Sequence, residues 1–112
     1  MSRHQPVGHF EFQVLAATLS LAGDGYAVSI REAVEAQSGR SVARGALYTT
    51  LARLEEKGLL RSALGEATPV RGGRPKRYYE VTPAGREALR ATRAELEKPW
   101  RGVGRLLGGA RS

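Results

Sequence analysis

Apolar residues recur along this chain with a helical period three times before the spacing changes. From Phe10 to Leu21 they fall into two stripes. Phe10, Val14, Ala17 and Leu21 lie within about 60° of one another at about 100° per residue. Phe12, Leu15, Ala16 and Leu19 gather on nearly the opposite side. A helix that is apolar on both sides needs two surfaces to bury against. In so short a chain, its own core can supply one and a second subunit the other. That expectation places Phe10 and Val14 at a subunit contact. A central helix wrapped entirely by its own domain is the alternative.

Ala22-Gly-Asp-Gly25 reads as a turn, and Val28, Ile30, Ala33, Val34 and Gln37 then mark a weaker helix from Tyr26. Ser38-Gly39 stops it, because glycine adopts the left-handed conformation cheaply after a helix. The third helix spans Ala43 to Lys57 and is closed by Gly58. Leu59–Leu64 and Tyr78–Val81 are short β candidates. The segment between them holds Gly65, Pro69, Gly72, Gly73 and Pro75, which suits a hairpin loop. Thr82-Pro83 starts a last helix, since threonine can cap and proline fits the first helical position. Its stripe of Leu89, Thr92 and Leu96 can continue through Trp100, Val103 and Leu107, with Pro99 breaking the helix on the way. The predicted order is helix, helix, helix, strand, strand, helix.

The third helix carries the most information. Leu47, Leu51 and Leu54 share one face, while Gly45, Thr49, Ala52, Arg53 and Glu56 occupy the other. A helix that buries one side and shows small, polar and cationic groups on the other can lie in a DNA groove. Arg44 can reach a guanine edge or a phosphate. Thr49 can hydrogen-bond and offers a methyl to thymine, Arg53 follows about one turn on, and Tyr48 on the flank can meet a phosphate. An ordinary amphipathic helix with a wet polar face is the competing interpretation. The loop that follows places Arg71, Arg74, Lys76 and Arg77 within seven residues, beside Gly72-Gly73. Such a loop can neutralise phosphates, and an arginine at its tip can enter a minor groove. It lacks the Gly-Lys-Ser/Thr ending of a nucleotide-binding loop. Helix and basic hairpin together form the pattern of a winged helix-turn-helix.

Charge agrees with this. The 112 residues carry a net +7, and the sequence pI is near 10.6. Residues 1–39 hold two basic and four acidic residues, whereas residues 40–82 hold nine and four, and residues 83–112 seven and three. The positive charge therefore lies in the C-terminal two-thirds of the chain, which includes the third helix and the hairpin, as expected for a polyanionic partner. With no cysteine, disulfides and cysteine-based metal sites are excluded. His4 and His9 are the only histidines, so neither a metal site nor any other cofactor is expected. No nucleophile–base set or carboxylate pair suggests catalysis, and the chain does not read as an enzyme. Glu55-Glu56 reads as a solvated helix end. No apolar run approaches the roughly 18 residues of a membrane span. A soluble, cytoplasmic, nucleoid-associated protein is the expectation, with no membrane partner.

Gly45-Ala-Leu-Tyr48, Leu51-Ala-Arg-Leu-Glu-Glu-Lys-Gly58-Leu59, Gly73-Arg-Pro-Lys-Arg-Tyr-Tyr79 and Thr82-Pro-Ala-Gly85 together resemble the PadR family of bacterial transcriptional regulators. The likeness runs from about Phe10 to Leu96. It implies a mainly helical winged helix-turn-helix with a small β wing and a C-terminal dimerisation helix. It also implies a homodimer on a pseudo-palindromic operator in double-stranded DNA, usually a repressor. By the same resemblance Tyr48 would contact phosphate, Arg44, Thr49 and Arg53 would face the groove, and Arg74, Lys76 and Arg77 would belong to the wing. Two features depart from the pattern. Ala43 stands where many relatives carry serine or proline, and a poor N-cap costs about 1 kcal/mol. The tail is short, so no long coiled dimer arm is expected.

The expected organisation is a disordered lead over 1–7, the DNA-binding domain over 8–82, and a dimerisation helix and tail over 83–112. The dimer contact is assigned to Phe10, Val14, Leu89, Leu96 and Trp100. Two other functions remain open at this stage. One is a winged helix that binds a protein. The other is a sensor whose dimer interface encloses a small apolar effector near Trp100.

Overall fold

The first helix is the hub of the fold. In a computed structural model, which describes residues 6–65 and 75–108, α1 (His9–Ser20) packs against three helices and a strand. These are α2 (Ala27–Ser38), α3 (Arg44–Glu56), α4 (Pro83–Glu97) and β2 (Arg77–Val81). Val14 and Leu15 come from opposite predicted stripes, yet both are wholly buried. The helix is thus enclosed by its own domain on both of those sides. This corrects the assignment of Val14 to a subunit contact: its side chain is already covered by its own chain. Phe10 is only half-buried and packs at the edge of the same core.

α2 contributes Ile30 and Val34 to that core, and α3 contributes Leu47, Thr50, Leu51 and Leu54. The leucine spacing predicted this face. Gly39 ends α2 in the left-handed region with φ 71°. The link to α3 is fixed through Val42, which is itself buried. Its N–H donates to Glu35 Oε2 at 2.7 Å, and its carbonyl accepts from Arg31 Nε at 2.8 Å. Ala43 is the N-cap of α3 and offers no side-chain cap. The two backbone bonds at Val42 orient the helix start instead.

β1 (Leu60–Leu64) and β2 pair antiparallel, from Leu60 opposite Val81 to Leu64 opposite Arg77. The turn after α1 joins them: Tyr26 bridges Tyr78, and Tyr79 N–H donates to the Gly25 carbonyl at 2.8 Å. The strands match their predicted extents to within one residue. The hairpin loop from 66 to 74 lies outside the described residues, and so do Arg71 and Arg74.

Thr82 ties this hairpin to α4. Its hydroxyl accepts from Gly85 N–H at 3.0 Å, as the capping pattern predicts, and donates to the Gly58 carbonyl at 2.6 Å. Gly85 lies so close to β1 that a Cβ there would sit 2.2 Å from the Leu59 carbonyl oxygen. Further along α4, buried Thr92 accepts from Val7 N–H at 3.0 Å and donates to the Ala88 carbonyl. Val7 therefore packs against the domain, although the sequence groups it with the disordered lead. Residues 1–5 of that lead are outside the described set. α4 ends at Glu97, just before Pro99. The short α5 (Trp100–Leu106) is interrupted at Arg101 and Gly102, which have non-helical dihedrals. The apolar stripe of α4 thus starts in the core and emerges from it. Leu89 is half-buried, while Leu96, Trp100, Val103, Leu106 and Leu107 are exposed. Among the described residues, no helix is long and apolar enough to cross a membrane.

Candidate nucleic-acid interface

Opposite its leucine face, α3 presents an uninterrupted solvent-facing arc of Arg44, Gly45, Tyr48, Thr49, Ala52, Arg53 and Glu56. At about 100° per residue, Gly45 and Ala52 lie near its middle. Arg44 and Tyr48 flank one side, and Thr49 and Arg53 flank the other. Small residues on the crest leave the backbone open to close approach. A Cβ at Gly45 would meet nothing within 4 Å. The fold therefore does not require glycine here, and glycine in a helix is less favourable than alanine by up to about 1 kcal/mol.

Among the described residues, some exposed cations form ion pairs and others, Arg40 and Arg86 included, do not. On α4, Arg90 pairs with Glu87, Arg93 with Glu97 at 3.0 Å, and Lys98 with Glu95 at 3.0 Å. Lys57 pairs with Glu11, and Arg61 with Glu80. Among the described residues, Arg44 and Arg53 have no acidic partner. Arg53 has Glu56 three residues on, a spacing that often pairs, yet the two do not form an ion pair. Arg44 and Arg53 thus stand on the exposed arc of α3 without an ion-pair partner among the described residues, with Glu55 and Glu56 near its C-terminal end.

The base of the wing stands beside this helix. Tyr48, Lys76 and Arg77 line one groove together with Tyr26, Val28 and Tyr79. Arg44, Thr49 and Arg53 lie outside it, on the outer arc. Lys76 Nζ sits 4.5 Å from the centroid of the Tyr26 ring. The Tyr26 and Tyr78 rings meet edge to face, with centroids 5.6 Å apart. Arg77 is held differently. Its Nη1 donates to Ser62 Oγ at 2.9 Å, and Ser62 Oγ donates to Glu55 Oε2 at 2.7 Å. This relay ties both strands of the wing to the last turn of α3. Glu55 is exposed at the helix end, as expected from the sequence, and in addition accepts from the wing.

Tyr79 is buried below this relay. Burial raises its pKa above the usual tyrosine value and the charge of Glu55 raises it further, against the opposing pull of Arg77 and with a smaller push from the Tyr48 phenol group. The phenol therefore stays neutral around neutral pH, and Tyr79 lines the groove. Sequence reasoning missed Tyr26, Ser62 and Glu55 as parts of this surface. Each looks locally ordinary, and only the antiparallel register brings them next to wing cations.

Comparison with known proteins agrees with the geometry. The family model described as "Transcriptional regulator PadR-like family" matches residues 15–91. A curated transcriptional regulator of Mycobacterium tuberculosis is 48% identical over 60 residues, which cover 54% of this chain and 52% of that protein. The match thus spans about half the length of that relative. A crystal structure of a PadR family transcriptional regulator from Eggerthella lenta DSM 2243 aligns at TM-score 0.64 and 30% identity, covering 86% of this chain and 81% of that one. A Streptococcus mutans UA159 protein shares the fold at TM-score 0.69 and 23% identity, over 98% of both chains.

Proposed function

The chain belongs to the PadR-like family of transcriptional regulators, and we propose that it is a homodimeric repressor that binds a pseudo-palindromic operator in the cytoplasm. The observation that carries this reading is the exposed arc of α3, whose arginines have no acidic partner among the described residues, with the wing base alongside. α3 enters the major groove. Arg44, Thr49 and Arg53 read base edges or flank them, and Tyr48 meets the backbone. Lys76 and Arg77, with Arg71 and Arg74 of the loop, neutralise the adjacent phosphates.

Dimerisation is proposed through the emergent stripe of α4 and α5. Leu96 and Trp100 are 51% and 59% exposed on the single chain. An apolar surface of this kind marks a protein contact. Phe10 and Leu89, both half-buried, are assigned to the same proposed contact. Two-fold symmetry then sets half-sites about 10 base pairs apart, or a multiple of that. Exposed Trp100 in this patch also supports a secondary proposal, that a small apolar effector binds there. Quenching of tryptophan fluorescence together with operator release tests it, and a flat response across a broad compound panel rejects it.

Selection of duplexes from a random pool at near-physiological salt tests the main reading. Recovery of a two-fold symmetric motif is expected. Retention of all sequences alike, vanishing as salt rises, would reduce the binding to non-specific electrostatics and favour a protein partner for α3.

A further inference from the structure

We propose that Tyr26 is the positioning residue for the wing cation Lys76: it holds the ammonium group at the seam between α2 and the wing, where it meets a DNA phosphate. The inference rests on the DNA-binding reading above and adds a residue outside both the recognition helix and the wing. Tyr26 is the N-cap of α2, and its own place is set from several directions. Its backbone bridges Tyr78, the Gly25 carbonyl before it accepts from Tyr79 N–H, and its N–H donates to Ser29 Oγ at 2.9 Å. The Tyr78 ring meets it at an interplanar angle of 71°.

Lysine is a flexible stem with a point charge, and without a partner it samples many directions. Here both ends of the stem are constrained. The Lys76 carbonyl accepts from Gly65 N–H at 2.7 Å, and its Nζ lies over the Tyr26 ring. An ammonium group has three donors. The ring face takes one side of the charge and leaves the outward hydrogens for phosphate oxygens. Lys76 is exposed, so the contact adds little to folding. It fixes instead where the positive charge stands, at the mouth of the groove shared with Tyr48 and Arg77.

A double-mutant cycle on the full chain tests this, with binding to the selected duplex as readout. Lys76→Ala is expected to weaken all duplexes alike and lower the log-affinity against log-salt slope by about 1. Tyr26→Leu is expected to weaken binding by about two- to fivefold, the size of an exposed cation–π contact. It should add no further loss in the Lys76→Ala background, and Tyr26→Phe should bind like the parent because the ring face is kept. Equal loss from Tyr26→Leu in both backgrounds, or equal loss from Tyr26→Phe, would overturn the positioning role.

A second measurement needs no DNA. In the free protein, the Lys76 ε-methylene protons should show an upfield ring-current shift that Tyr26→Leu abolishes and Tyr26→Phe keeps. A parent chain that selects duplexes but lacks this shift overturns the clamp alone. A parent chain that shows the shift but selects no duplex overturns the DNA-binding reading, and the phosphate role with it.

Discussion

α3 and α4 are amphipathic helices of similar length, each rich in arginine, and they use that charge in opposite ways. Along α4 and its C-cap, Arg90, Arg93 and Lys98 are matched to carboxylates three or four residues away, while Arg86 has no such partner among the described residues. Such exposed pairs contribute only a few tenths of a kcal/mol each, but they offset charge along most of this helix. On α3, Arg44 and Arg53 are unmatched among the described residues, glycine and alanine lie near the middle of the exposed arc, and Glu55 accepts from Ser62 of the wing. A count of basic residues would rank α4 as the better DNA binder. Pairing and side-chain size support α3 as the surface proposed to face an outside polyanion, whereas α4 anchors the domain and ends in an apolar patch.

The largest expected effect breaks that anchor. Gly85→Ala places a methyl where the Leu59 carbonyl already stands. Either α4 shifts off the hairpin or the strand yields, at a cost of about 3 kcal/mol. Urea unfolding should show a clearly lower midpoint with an unchanged m-value. A parent-like midpoint would mean that α4 is not seated as tightly as described.

Next, paired and unpaired arginines can be compared directly. Arg53→Ala should lower the free energy of binding to the preferred duplex by about 1–3 kcal/mol and relax selectivity at one base position. Arg93→Ala should leave binding unchanged and alter stability by less than about 0.5 kcal/mol. Fluorescence anisotropy on operator variants reads both. Equal losses for the two substitutions would erase the distinction between the helices.

Gly45→Ala sharpens the same contrast with opposite signs. Open space at Cβ and better helix propensity predict a stability gain of up to about 1 kcal/mol. If the backbone of α3 approaches DNA closely, the same methyl weakens operator binding. Tighter binding alongside higher stability would show that the crest of α3 does not touch the duplex.

The smallest effect is a pH dependence. Tyr79 has a folded-state pKa raised above the unfolded value, so the folded chain holds this proton more tightly. The associated stability is fully present below the unfolded pKa of about 10 and is lost as pH rises through the folded value. Tyr79→Phe should flatten the part of the alkaline decline that comes from this group. Thermal unfolding between neutral and strongly alkaline pH measures it.

Much of this was legible before any coordinates. The leucines of α3 predicted its buried face, and Gly39, Gly58 and Thr82-Pro83 placed helix ends to within a residue or two. The resemblance carried by Tyr48 and the Tyr78–Tyr79 strand agrees with the matched family. Other parts of the surface were not legible. Val14 was assigned to a subunit contact because two apolar stripes do not reveal which neighbour covers each. The bond from Ser62 to Glu55 was not legible because it joins the wing to α3, and Ser62 meets Arg77 only through the pairing of the two strands.

What the sequence determined on its own is whatever its near neighbours encode: helical period, caps, turn chemistry, and a basic loop between two strands. Those signals act over three or four residues and survive in the linear order. The tertiary structure decided the matters that depend on distant pairs. It set the enclosure of α1, the docking of Val7 on Thr92 across 85 positions, the close approach at Gly85 and the seating of Lys76 on Tyr26. It also decided which arginines remain free. Each of these turns on a packing or electrostatic contact between segments that come together only once the core has formed.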